Sequence, residues 1–79
     1  MKAIRRLGRT PTELGNTTGV SGSPDIIELE DGSIAVIGID ITDELGREPL
    51  PDARCAPNER IVRIPRNTFF YAAKDVSAN

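Results

Sequence analysis

Histidine and tryptophan are absent from this 79-residue chain, cysteine and methionine occur once each, and the aromatic complement is two phenylalanines and one tyrosine. Each shortage removes a class of explanation. Without histidine there is neither an imidazole base nor the commonest metal ligand. The single cysteine, Cys55, makes no disulfide within the chain. Its thiol also lacks a base to hold it as a thiolate, since Arg54 is its neighbour in a proline-rich stretch and adjacency there positions nothing. No apolar run approaches the roughly 20 residues a membrane helix needs, and Met1 to Gly8 has charges but no signal-peptide core. These absences predict no catalytic residue, no cofactor, no metal, no membrane contact and a cytoplasmic location.

Two weak motifs fall with them. Asp40, Asp43 and Glu44 gather acid near one strand end, but not at the spacing of a calcium loop. The glycine-rich residues 18–23 have neither the lysine nor the preceding strand of a phosphate-binding loop.

A chain this short buries only about 60 to 65% of its unfolded surface, so its core is thin. Small domains find the missing stability in disulfides, metals or a second chain, and only the last is open here. The expectation is a homodimer or a hetero-complex.

The charge is close to balanced, ten basic against twelve acidic residues, but unevenly spread. Lys2, Arg5, Arg6 and Arg9 crowd the start, whereas acid is concentrated between Asp25 and Glu48. A basic end permits phosphate contact, which makes nucleic-acid binding through these four residues the alternative to protein binding.

Composition divides the chain into a flexible basic, Gly/Ser/Thr-rich arm over residues 1–24, a single small β-rich domain over 25–76, and a tail over 77–79. Two β-branched runs flank Asp31-Gly32, which predicts a hairpin over 25–41 closed by a two-residue turn with positive φ at both positions. Ile34 and Val36 oppose Ile37, Ile39 and Ile41 in parity, so the second run reads as a central strand covered on both sides, with Gly38 marking a bulge or a close backbone approach. Three prolines and a glycine make residues 42–59 a long connection, broken at most by one helical turn over 42–46. Residues 60–64, RIVRI, read as an edge strand ended by Pro65. Asn67 or Thr68 then caps a short C-terminal helix whose Phe69, Ala72, Ala73 and Val76 fall at helical spacing and are expected to cover the sheet. The fold class is α+β: a small, mainly antiparallel sheet with one short C-terminal helix.

The segments SGSPDIIELEDGSIAVIGIDIT and ERIVRIPRNTFFYAAKDV resemble small actinobacterial proteins. More loosely, residues 15–76 are similar to the BldB-like proteins encoded beside helix-turn-helix regulators, which share a polar arm, a hairpin and a final strand leading into an aromatic short helix. The resemblance implies a non-enzymatic partner of a transcriptional regulator and carries over no catalytic residue.

The residues therefore predict a non-enzymatic protein–protein interaction module. Partner contacts are expected at the edge strand Arg60, Ile61, Val62, Arg63 and Ile64, and at Phe70 and Tyr71, since unpaired backbone groups and aromatics are the usual anchors. A nucleic-acid accessory using Lys2, Arg5, Arg6 and Arg9 is the first alternative, and a small subunit of an enzyme complex the second.

Overall fold

A computed structural model describes residues 1–16 and 24–77. Strands β1 (Ala3–Leu7), β2 (Asp25–Leu29) and β3 (Ile34–Ile37) form an antiparallel sheet in that order, so β2 is central. A second, two-stranded ladder joins β4 (Ile39–Asp40) to β5 (Val62–Arg63). Between these lies α1 (Thr42–Leu45), and α2 (Arg66–Ser77) closes the chain. The architecture is a small α+β fold, as the alternating runs and the terminal helical spacing predict.

The hairpin joins β2 to β3, but its turn is not the one expected. Glu28 pairs with Ile34 and the Leu29 N–H reaches the Ser33 carbonyl, leaving a three-residue loop of Glu30, Asp31 and Gly32. Only Gly32 has positive φ, at 88°, which excludes the predicted type I′ turn with its two positive positions. The loop is instead a β-turn closed by the Gly32 N–H on the Leu29 carbonyl, followed by a left-handed glycine. Asp31 fixes it by accepting from both the Ser33 N–H and the Ser33 hydroxyl.

The expected arm over residues 1–24 is not one loose piece. Ala3–Leu7 pairs with β2, and the chain then turns through a capping box in which the Thr10 N–H donates to Glu13 Oε1 at 2.9 Å and the Glu13 N–H to Thr10 Oγ1 at 3.1 Å. Asn16 Nδ2 fastens the end of this turn to Asn67 Oδ1 and Thr68 Oγ1 on α2. Residues 17–23, which include the whole glycine-rich motif and the rest of the arm up to Pro24, lie outside the described residues, as do 78 and 79. At the other end, α2 runs to Ser77, into the expected tail.

Directly paired residues share a sheet face, so Leu7, Ile26 and Val36 lie together on one side and Arg6, Ile27 and Ala35 on the other. Helix α2 packs over β1 and β2 on the first side, where Leu7, Ile26 and Ala72 form the buried apolar cluster and Ile64 leans on it. This core is as thin as the chain length implies. Two glycines let the layers approach. A β-carbon on Gly8 would lie 2.8 Å from the Ala72 backbone nitrogen, and one on Gly38 would lie 2.5 Å from the Arg63 carbonyl oxygen. Gly38 is thus the close backbone approach its place in the strand suggests.

Of the predicted stripe the helix buries Ala72 alone. Thr68 and Ala72 face the sheet with Asn67, Tyr71 and Asp75 half-buried beside them, whereas Phe69, Phe70, Ala73 and Val76 face outward. Asn67 and Thr68 do not cap the helix, which already begins at Arg66; both are used to hold Asn16. The polar contacts to the turn over residues 10–16 fix the helix rotation, so the apolar stripe is left outside.

Candidate interaction surface

Strands β1 and β3 are both sheet edges, and the sequence treats them differently. Natural edge strands are guarded against pairing with other chains by charged side chains, proline or bulges. In β1 the guards are present: Arg5 and Arg6 follow Lys2, and the register slips between Ala3 and Arg5. In β3, Ile-Ala-Val-Ile, there are none, and from Ser33 to Ile39 no residue is charged. Ile34, Val36 and Ile37 are 48, 41 and 47% exposed, and Ile39 is 63% exposed. The expected central, doubly covered strand is therefore an edge, because β1 pairs with β2 and not with the free side of β3.

A second apolar feature lies on the same side as the helix. Phe69, Ala73 and Val76 repeat at the i, i+4, i+7 spacing that forms one stripe, and α2 sits over β1 and β2, leaving Ile34 and Val36 of β3 uncovered on that face. Ile64, Pro65, Phe69, Phe70 and Ala73 line an open groove of about 720 Å³ with Arg66 at its rim.

The sequence-predicted contact residues are divided by the structure. Arg60 Nε donates to Asp40 Oδ2 at 2.9 Å, and the Ile61 N–H donates to Thr42 Oγ1 at 2.7 Å while the Ile61 carbonyl accepts the Ile41 N–H. Val62 and Arg63 are the whole of β5 and are paired with β4, and Ile64 is drawn toward the core. One backbone edge of the RIVRI segment is thus used internally. Phe70 joins Ile64 in the open groove, whereas Tyr71 turns to a separate cleft with Gly8, Arg9, Glu13, Lys74 and Asp75. The two rings meet edge to face, 5.2 Å apart at 80°. Arg9 lies 4.8 Å over the Tyr71 ring and Lys74 lies 4.6 Å over that of Phe70. Ile34, Val36 and Ile37 are the surface residues that sequence reasoning missed.

The basic residues are not gathered into one face. Arg5 Nε bonds Glu28 at 2.7 Å on the helix side of the sheet, and Arg6 forks onto Asp25 at 2.7 and 2.9 Å on the other. Each carboxylate bond holds its guanidinium pKa above the ordinary arginine value. Lys2 uses its backbone N–H on Glu30, and Arg9 stacks on Tyr71.

Around Asp40 the geometry is a joint. Its Oδ1 accepts the Thr42 N–H at 3.0 Å and hydroxyl at 2.7 Å, its Oδ2 accepts Arg60, and these bonds lower its pKa to about 2. Both carboxylate oxygens are thereby occupied, and among the described residues no group of three or more potential ligands is placed to hold a metal ion. Cys55 closes the long loop: its Sγ donates to the Glu59 carbonyl at 3.2 Å, with Arg47 Nη1 at 3.5 Å on the other side. No described helix is long and apolar enough to cross a membrane.

No family model matches the chain, and neither a curated protein nor a solved structure matches it.

Proposed function

We propose that this chain is a non-enzymatic protein–protein interaction module that docks through the outer edge of β3 and the apolar stripe of α2 beside it. The observation that carries this reading is the contrast between the two sheet edges: β1 is guarded by charge and a register slip, and β3 is uncharged and half-exposed. An open strand edge supplies backbone hydrogen bonds to a partner, and alternate side chains supply selectivity. Half-exposed Phe69, Phe70 and Val76 add the kind of apolar anchors that dominate interface energies. The scattering and neutralisation of Arg5 and Arg6 weigh against the nucleic-acid alternative. The likeness to proteins encoded beside helix-turn-helix regulators gives the module a setting: a bacterial cytoplasmic accessory to a transcriptional regulator.

Affinity capture from native lysate, with wild type and Ile37→Lys compared side by side, tests the docking edge. Sedimentation of both proteins reports self-association. A defined complex or oligomer that the lysine abolishes is the expected result. A wild-type chain that is strictly monomeric and retains nothing sinks the reading.

A further inference from the structure

We propose that the occupant of the β3 edge is a second copy of this chain, paired antiparallel through β3 about a two-fold axis perpendicular to the sheet. This assignment rests on β3 being a docking edge and adds what docks there.

The first reason is that the strand is its own complement. From Ser33 to Ile39 it carries no charge and no proline, so apposing two copies places apolar side chains on apolar side chains and open backbone on open backbone. The second is the charge at its ends. β3 begins at the acidic turn of Glu30 and Asp31 and ends at Gly38, where the chain enters the ladder that pairs Ile39 with Arg63. Antiparallel pairing brings the acidic turn of one copy alongside the end of the other's strand, where Asp40 is already paired with Arg60 and Arg63 stands across the ladder from Ile39, and the two-fold repeats the match. Parallel pairing would set acid on acid. Among the described residues Arg63 has no ion pair of its own.

The third is area. With the axis perpendicular to the sheet, both α2 helices lie on one face, and Phe69 and Val76 of each flank the strip of Ile34 and Val36 from both copies. Each such half-exposed side chain offers on the order of 100 Å². The four thus amount to roughly 400 Å² per copy and about 800 Å² in total, to which the paired backbone edges add, the size of a weak, concentration-dependent association. The product is a continuous six-stranded sheet whose only outer edges are the guarded β1 strands.

Sedimentation equilibrium of the full chain over a wide concentration range is the test, together with mild oxidation of Val36→Cys in a Cys55→Ser background. The expected results are a mass twice the 8.6 kDa of one chain, a covalent dimer through position 36, and at least tenfold weaker association in Ile37→Lys. Ile34→Lys, on the opposite face of the strand, serves as the second variant should Ile37→Lys unfold. Arg63→Glu should weaken the dimer several-fold at low salt and much less at high salt; a salt-independent constant overturns the antiparallel alignment. A monomer at every concentration overturns self-pairing, as does a dimer indifferent to both lysines. If that monomer still holds another protein in an Ile37-dependent manner, the interaction reading survives without the second copy; if it holds nothing, both fall.

Discussion

The α-carbon of Gly38 lies against the Arg63 carbonyl so closely that a β-carbon there would stand 2.5 Å from that oxygen and 2.9 Å from Ile64 Cγ2. This contact lies where the β4–β5 ladder meets the end of β3, and it is followed by Ile64 packed against the core before α2 begins. Gly38→Ala should therefore cost about 1–3 kcal/mol, the range for overpacking a fixed site. Gly32→Ala is the contrasting variant: nothing lies within 4 Å of its β-carbon, and only its φ of 88° opposes the change, so it should cost about 1–2 kcal/mol. Urea unfolding measures both, and in Gly38→Ala alone the loss should be accompanied by altered amide shifts at residues 63 and 64.

The forked pair of Arg6 with Asp25 ties β1 to β2 on the face opposite the helix, and Asp25 is buried there. Removing one partner of such a pair strands the other's charge, but Arg6 is nearly half-exposed, so water recovers part of the loss. Arg6→Ala, which strands the buried carboxylate, should destabilise the fold by about 1–2 kcal/mol, and Asp25→Ala, which leaves the guanidinium in water, by less. Both effects should shrink modestly in 1 M salt. A larger loss in Asp25→Ala than in Arg6→Ala would place the guanidinium, not the carboxylate, as the desolvated partner.

The hairpin, the terminal helix and the fold class were legible because period-two alternation, a turn glycine and period-3.6 spacing are local signals. The place of β3 in the sheet was not local. An uncharged run such as Ile-Ala-Val-Ile reads alike whether it is a covered central strand or an unguarded edge, and the difference lies in where β1 pairs. The segment Ala3–Leu7 hid its strand because arginines occupy two of its five positions, and their partners Glu28 and Asp25 are visible only after folding. A signal at Thr10-Pro11-Thr12-Glu13 was nevertheless present: threonine, then glutamate three residues on, with proline at the first helical position, is a capping box. It marks residues 10–16 as an ordered turn. The helix face is hidden for a related reason: Thr68 and Asn67 are polar and read as caps, whereas they are the contacts that orient the helix.

Acid should loosen the joint at Asp40. Its carboxyl titrates at about 2 against an ordinary value of 3.8, chiefly through the Thr42 N–H and hydroxyl and then Arg60. A carboxyl whose folded pKa is depressed stabilises the fold fully above the unfolded value, and that contribution is lost as pH falls from about 4 toward about 2. Asp31 and Glu13, also held below their ordinary values by Ser33 and Thr10, act in the same direction. Wild-type stability should decline across this window, and Asp40→Asn should flatten the decline while lowering stability at neutral pH. Carbon-detected NMR titration of the Asp40 carboxyl together with urea midpoints at each pH reads both quantities, and an Asp40 midpoint near 3.8 would contradict the bonding at the joint.

The rotation of α2 decides which side chains are core, and it is open to a direct contrast between neighbours. Ala72 is 3% exposed and meets the Gly8 backbone, so Ala72→Leu has nowhere to place its added carbons and should cost about 1–3 kcal/mol. Phe70, two residues earlier, is 54% exposed and loses mainly its contacts with the Lys74 ammonium and the Tyr71 ring. Phe70→Ala should therefore cost about 1 kcal/mol or less, far below the ~3–5 kcal/mol of a buried phenylalanine. Phe69→Ala should be similarly mild in the isolated chain at low concentration, yet should weaken any complex formed on the β3 side. Urea unfolding of the three variants ranks them. If Phe69→Ala or Phe70→Ala proved the costlier change, the helix would have to be turned by roughly 100° or more, placing its aromatic stripe against Leu7 and Ile26 and removing the apolar surface from the side that faces β3.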